Sequence, residues 1–151
     1  AMKLPNTGMA VTSDIGSLET IHPANKQDVG KRLALWALNK TYGKKDVVYS
    51  GPLYKSMITE GNRIRVNFNN LGSGLFCPDK ALTFFEIAGE DGVYYQAETK
   101  IDGEQVVVRS SKVNQPVHVR FGWTDTAIPN LFNKERLITI PPLLLLKPSI
   151  Q

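Results

Sequence analysis

Two periodicities divide the chain. From Lys26 onwards apolar side chains recur at Val29, Leu33, Trp36 and Ala37, and Leu35 and Leu38 widen the stripe. Lys26, Lys31, Arg32 and Lys40 fall mostly on the other side. That three-to-four spacing predicts an amphipathic helix. Asn25, with Asp28 in the first turn, is a start signal, Pro23 suits a first turn, and Tyr42-Gly43 supplies the stop. Burial of Leu33, Leu35, Trp36 and Leu38 would contribute about 1.5–3 kcal/mol for each large side chain. The helix therefore needs a partner surface.

Beyond residue 45 the period drops to two. Arg63-Ile64-Arg65-Val66-Asn67-Phe68 alternates throughout, which turns Ile64, Val66 and Phe68 to one core. Leu53 to Ile58 pairs with it across Glu60-Gly61-Asn62. Leu82 to Ala88 and Val93 to Thr99 flank Gly89-Glu90-Asp91-Gly92. Lys100 to Val108 contains the tight-turn signal Asp102-Gly103, and Val117 to Trp123 alternates again. Short strands at this spacing, with no second long helix, predict a mainly β fold, with a β-sandwich-like unit over residues 46–135. Ahead of it, Met9-Ala10-Val11-Thr12 reads as a buried strand emptying into a loop that leads to the helix. This gives a strand–loop–helix segment over residues 1–45. Residues 136–151, with LITIPPLLLLKPSIQ at their end, follow neither pattern and form an atypical tail, either a strand or poorly packed.

Composition is that of an ordinary globular chain, at 42% hydrophobic and 21% charged, and 151 residues suffice for one good core. The net charge of +4 comes from scattered lysines and arginines. No basic stripe of the kind that tracks a phosphate backbone exists, so nucleic acid is not an expected partner. No stretch is long and apolar enough to span a membrane, so none is expected there either. Cys77 stands alone, which rules out an internal disulfide, and no Cys/His spacing suggests zinc. No cofactor is called for. The start, AMKLPNTG, has no signal-peptide pattern, and Ala1 before Met2 looks like a tag scar.

The candidate chemistry lies between the two patterns. His22 precedes Pro23, whose ring pushes it into an extended conformation just ahead of the helix. The positive end of a helix disfavours imidazolium and keeps the ring available as a base. A carboxylate holding its Nδ1–H would aim Nε2 at a hydroxyl, and Asp14 and Glu19 are the two candidates. Spacing alone favours a plainer role, a histidine that fixes its loop by hydrogen bonds. His118, between two valines of an alternating strand, reads as a surface or interface residue. Tyr94, Tyr95 and Trp123 could stack on sugar faces, although packing is the better reading. Asn69 to Gly74 is glycine-rich but has no lysine or following helix, so it is no phosphate cradle.

The wider string Asp14-Ile15-Gly16, Ile21-His22-Pro23, Asn25-Lys26, Val29-Gly30 and Arg32-Leu33-Ala34-Leu35 resembles the sialate O-acetylesterases, serine esterases of the SGNH (GDSL-like) group. Phe85-Glu86-Ile87-Ala88-Gly89 with Asp91-Gly92, Ile101-Asp102-Gly103, Val117 to Trp123 and Asn130-Leu131-Phe132-Asn133 are similar to the same family's C-terminal β region. The resemblance runs from about residue 9 to 135. It implies that residues 1–45 are the last strand, histidine loop and helix of an α/β SGNH catalytic domain, followed by a β-sandwich accessory domain. It further implies that His22 is the triad histidine, the substrate an O-acetylated sugar or sialoglycan, and the setting secreted or periplasmic. The nucleophilic serine would lie in a missing N-terminal catalytic portion, so the chain alone is expected to be inactive. Ser13, Ser17, Ser73, Ser110 and Ser111 sit in no comparable context. Glu19 stands where many SGNH enzymes have aspartate, and the sequence after Glu135 departs from the family's ending. A non-catalytic carbohydrate-binding β module is the competing expectation.

Overall fold

The alternation that follows Gly51-Pro52 becomes a set of short antiparallel strands. A computed structural model of the chain describes residues 4–140. In chain order the strands are β1 (Leu53–Glu60), β2 (Arg63–Asn69), β3 (Leu75–Phe76), β4 (Phe85–Ala88), β5 (Tyr95–Gln96), β6 (Glu98–Asp102), β7 (Gln105–Arg109), β8 (His118–Phe121) and β9 (Phe132–Asn133). They form a four-stranded sheet in the order β1-β2-β7-β6, a three-stranded sheet β5-β4-β8, and a ribbon β3-β9. The mainly β architecture expected from the sequence is the one observed.

Alternation places the core. Ile64, Val66 and Phe68 on β2 and Val106 and Val108 on β7 face inward from the larger sheet. Phe85, Ile87, Val119 and Phe121 do so from the smaller one, all in one buried cluster. Phe85 and Phe121 are cross-strand partners with rings stacked 4.3 Å apart, a contact worth about 0.5–1.5 kcal/mol beyond the area it buries. The hairpins turn at Gly61 and Gly103, both at positive φ, where a side chain would be strained.

Four expectations change in the structure. Met9 to Thr12 is not a strand: the Met9 carbonyl accepts from Trp36 Nε1 at 2.9 Å and the Val11 carbonyl from Arg32. Helix side chains occupy the acceptors that a sheet ladder would use. Leu82 to Phe84 stay outside β4 because the Thr83 N–H donates to Asn130 Oδ1 at 2.9 Å and Phe84 has φ +61°. The run Val93 to Thr99 splits at Ala97, with β5 pairing with β4 and β6 with β7. The strand thus changes sheets. Helix α1 (Lys26–Trp36), continued by a π-helical turn over Ala37–Thr41, has no buried residue in its α-helical part, and Leu33 is 50% exposed. The wide apolar stripe is there, but the described residues cover only part of it.

The segment after the helix is fixed. Asn39 Nδ2 donates to the Val47 carbonyl at 2.9 Å. Buried Asn133 donates to the Ser50 carbonyl at 3.1 Å and accepts from the Leu137 N–H at 2.9 Å. Leu137 to Thr139 are buried, and Ile138 bridges to Phe132. The remainder of the expected tail, and the proposed scar at Ala1, lie outside the described residues.

A Cβ on Gly51 would sit 2.1 Å from the Ile138 carbonyl oxygen and 2.5 Å from that of Leu137, so backbone must move. Gly51→Ala should destabilise the chain by about 1–3 kcal/mol in urea unfolding. On the outer face of β2, Arg65 donates to Glu60 at 3.0 Å, Asp102 at 2.6 Å and Gln105 at 3.0 Å. Hydrogen bonds to Arg65, then its charge, hold the carboxyls of Glu60 and Asp102 below the usual range. Carboxyls with depressed folded-state pKa values stabilise above their unfolded pKa, and this contribution is lost as pH falls through the folded value. The stability difference between wild type and Arg65→Gln should therefore be largest near neutrality and fade below about pH 4, as urea midpoints across pH would report.

Candidate active site around the histidine loop

Short-range hydrogen bonds shape the loop. Ser17 Oγ accepts from the Glu19 N–H at 3.1 Å and the Thr20 N–H at 3.3 Å, and Thr20 Oγ1 accepts from the His22 N–H at 3.1 Å. These hydroxyl turns hold backbone that no sheet pairs with. On the helix side, Asn25 Oδ1 accepts from the Asp28 N–H at 3.1 Å, while Asn25 Nδ2 donates to Asp28 Oδ2 at 2.8 Å. The cap anticipated at Asn25 is present. Its hydrogen bond and then that of Lys31 hold the Asp28 carboxyl below its usual range.

The firmest anchor is Arg32. Its Nη1 and Nη2 donate to the two carboxylate oxygens of Asp14 at 2.7 and 2.6 Å, and Nη1 also donates to the Val11 carbonyl. Both side chains of the pair are only 11% exposed. A bidentate guanidinium–carboxylate pair fixes orientation as well as distance. Hydrogen bonding to the Asp14 carboxylate raises the Arg32 pKa, against a desolvation effect that acts the other way. One helix residue therefore grips the start of the loop, and Asn25 closes its end.

Between these anchors lie the predicted site residues. Asp14 is committed to Arg32. His22 and Glu19 are exposed; among the described residues no hydrogen bond joins the imidazole to Glu19, to Asp14 or to any serine. The structure thus brings Asp14 to Arg32 and leaves His22 and Glu19 open to solvent. Of the serines, Ser17 is used within the loop, Ser13 Oγ is buried without a partner among the described residues, and Ser73 donates to Glu135 at 2.5 Å. Arg32 was legible only as part of the helix's polar side. A pair eighteen residues apart leaves no local signal.

The loop also borders a cleft. Asp14, Ser17 and Leu18 form one wall, and Gly122, Thr124 and Asp125, just after β8, help form the other, around an open volume of about 240 Å³. Ala127, Ile128 and Pro129 add apolar surface to the lining. Among the described residues no three His, Cys, Asp or Glu side chains converge as metal ligands would, and no helix is long and apolar enough to cross a membrane. Cys77 is a free thiol whose partial burial pushes its pKa up, which disfavours the reactive thiolate.

Comparison with known proteins finds a likeness to acetylesterases. No family model matches the sequence. Rat sialate O-acetylesterase is 42% identical over 59 residues, 36% of this chain and 11% of the rat protein. The human sialate O-acetylesterase is 44% identical over 55 residues, 34% of this chain and 10% of its own. The crystal structure of a carbohydrate acetylesterase from Xanthomonas citri superimposes with a TM-score of 0.89 at 41% identity, covering 95% of this chain and 33% of that one. The chain thus spans about a tenth of the curated relatives it matches and a third of the solved one. The likeness to part of a sialate O-acetylesterase, read from the sequence, is borne out by both comparisons.

Removal of the clamp should loosen the loop without unfolding the sheets. In Arg32→Gln, backbone amides of residues 11–22 should lose about 1.5–3 kcal/mol of hydrogen-exchange protection, the range for a charged hydrogen bond. Those of β2 and β7 should keep theirs.

Proposed function

We propose that this chain is the C-terminal portion of a carbohydrate O-acetylesterase and that His22 is the general base of its active site. The observation that carries the reading is the match of 95% of the chain, at 41% identity, to one third of a carbohydrate acetylesterase. It is supported by a histidine displayed to solvent between two rigid anchors. In this reading residues 1–45 complete a serine-hydrolase catalytic domain, residues 46–135 are its accessory β-sandwich, and residues 136–151 are the tail. The remaining catalytic portion of the polypeptide is the chain's first partner. Leu33, which the described residues leave 50% exposed on α1, supports that.

The chemistry is that of an imidazole acting first as a base and then as an acid. Neutral His22 takes the proton from a serine hydroxyl supplied by the rest of the enzyme as the oxygen attacks the acetyl carbonyl. The imidazolium then gives that proton to the departing sugar oxygen, leaving an acetyl ester on the serine. Water repeats the sequence, with His22 as base and then acid, to release acetate. Glu19, three residues ahead, is the carboxylate that orients the ring. Asp14 acts through Arg32, holding the loop in place. The substrate is an O-acetylated sugar, with O-acetylated sialoglycans as its leading members.

His22→Ala in the longer esterase should lower kcat on p-nitrophenyl acetate by on the order of 10⁴-fold with little change in KM. The 151-residue chain alone should give no turnover above buffer. Turnover by the isolated chain that vanishes on His22→Ala would place the nucleophile within it and overturn the division of labour.

A further inference from the structure

The outer face of the smaller sheet carries a group of side chains that the ester chemistry does not use. Arg120 on β8 donates from Nε and Nη2 to the two oxygens of its cross-strand partner Glu86, at 2.7 and 3.0 Å. Its Cζ lies 4.0 Å from the centre of the Tyr94 ring and 5.8 Å from that of Trp123. Trp123 is 43% exposed. Glu86 and Tyr94 also form part of the wall of an open groove of about 390 Å³, across which stand Ser110, Ser111 and Lys112.

We propose that this face is a binding site for neutral hexopyranose rings of a glycan. Each part of the arrangement matches that ligand. A pyranose presents an apolar face of C–H bonds with hydroxyls around its edge. The exposed indole takes the apolar face, as flat rings bury such surfaces well. The hydroxyls need donors and acceptors side by side. The fork that holds Glu86 leaves the Nη1 donors of Arg120 untaken by any described residue, and carboxylate oxygens can accept more than one hydrogen bond. Because the arginine charge is already met by Glu86, a free anion gains little from the guanidinium, and the polar groups beside the rings suit an uncharged sugar. The Tyr94 ring lies against the guanidinium, so less of its side-chain freedom remains to be lost on binding. The groove is of a size usual for small-ligand sites.

Position strengthens the inference. Trp123 lies between Gly122 and Thr124, which line the cleft opposite Asp14 and Ser17. The stacking residue thus adjoins, in the chain, the cleft that the histidine loop borders. The site serves the esterase reading by holding the unacetylated part of the glycan, but the binding itself does not require that reading.

The test is a titration of the ¹⁵N-labelled chain with lactose, followed at the two tryptophan indole N–H signals. Trp36 is the internal control, because its Nε1–H is bonded to the Met9 carbonyl and its dispersed signal reports a folded chain. The Trp123 signal should move and saturate at millimolar lactose while that of Trp36 stays. The binding response of Tyr94 and Arg120 backbone amides should weaken at least tenfold in Trp123→Ala and in Arg120→Lys. The lysine variant keeps the charge but loses the fork. Absence of a saturable shift in the folded chain would overturn the proposal, as would a response to free N-acetylneuraminic acid without one to lactose. Neither result touches the esterase reading, which rests on His22 and on ester turnover.

Discussion

The arrangement of the N-terminal third depends on the contact between Arg32 and Asp14. A loop of this length, with no sheet to join, would sample many conformations, and fixing each residue costs roughly 1–2 kcal/mol of entropy. One guanidinium reaching a carboxylate eighteen residues earlier in sequence, together with the Val11 carbonyl, ties the loop's start to the helix that ends it. Desolvation works against such a pair, and its geometry must compensate. The bidentate fork with a third bond to a carbonyl supplies that geometry. Trp36 adds a second tie at Met9. The histidine is thereby offered from a closed loop rather than a loose one.

The two halves of the chain are stabilised by different means. After residue 52, inward-facing valines, isoleucines and phenylalanines of two sheets make one buried core. Before it, ties between side chains and backbone do most of the work, and apolar burial is partial. The boundary between the two regimes falls near Gly51 and Pro52, where the chain passes from side-chain ties to sheet packing.

Much of this was legible in the sequence because it is local. Arg63 to Phe68 alternates without a break, Asp102-Gly103 and Gly61 mark tight turns, and Asn25 and Asp28 announce a helix start. The exceptions are all non-local. Met9 to Thr12 has the composition of a strand, yet its carbonyls are taken by Arg32 and Trp36. The apolar run through Ala97 has one pattern but two pairing partners, and no periodicity records a change of sheet. Phe84 adopts a left-handed conformation that its side chain disfavours, because Asn130 already holds the neighbouring backbone. The candidate site divides the same way. His22 stood out by its place before Pro23, whereas Asp14's true partner was hidden in what looked like solvated charge.

The tight seat of Gly51 beneath the Leu137 and Ile138 carbonyls has a mechanical meaning. Connections between a helix and a following sheet are often open surface loops. Here Asn39, Ser50, Asn133 and that glycine leave the passage from helix to sandwich no slack. A rotation of the sheets would therefore carry the end of the helical segment with it, as one lever arm, rather than being absorbed between them.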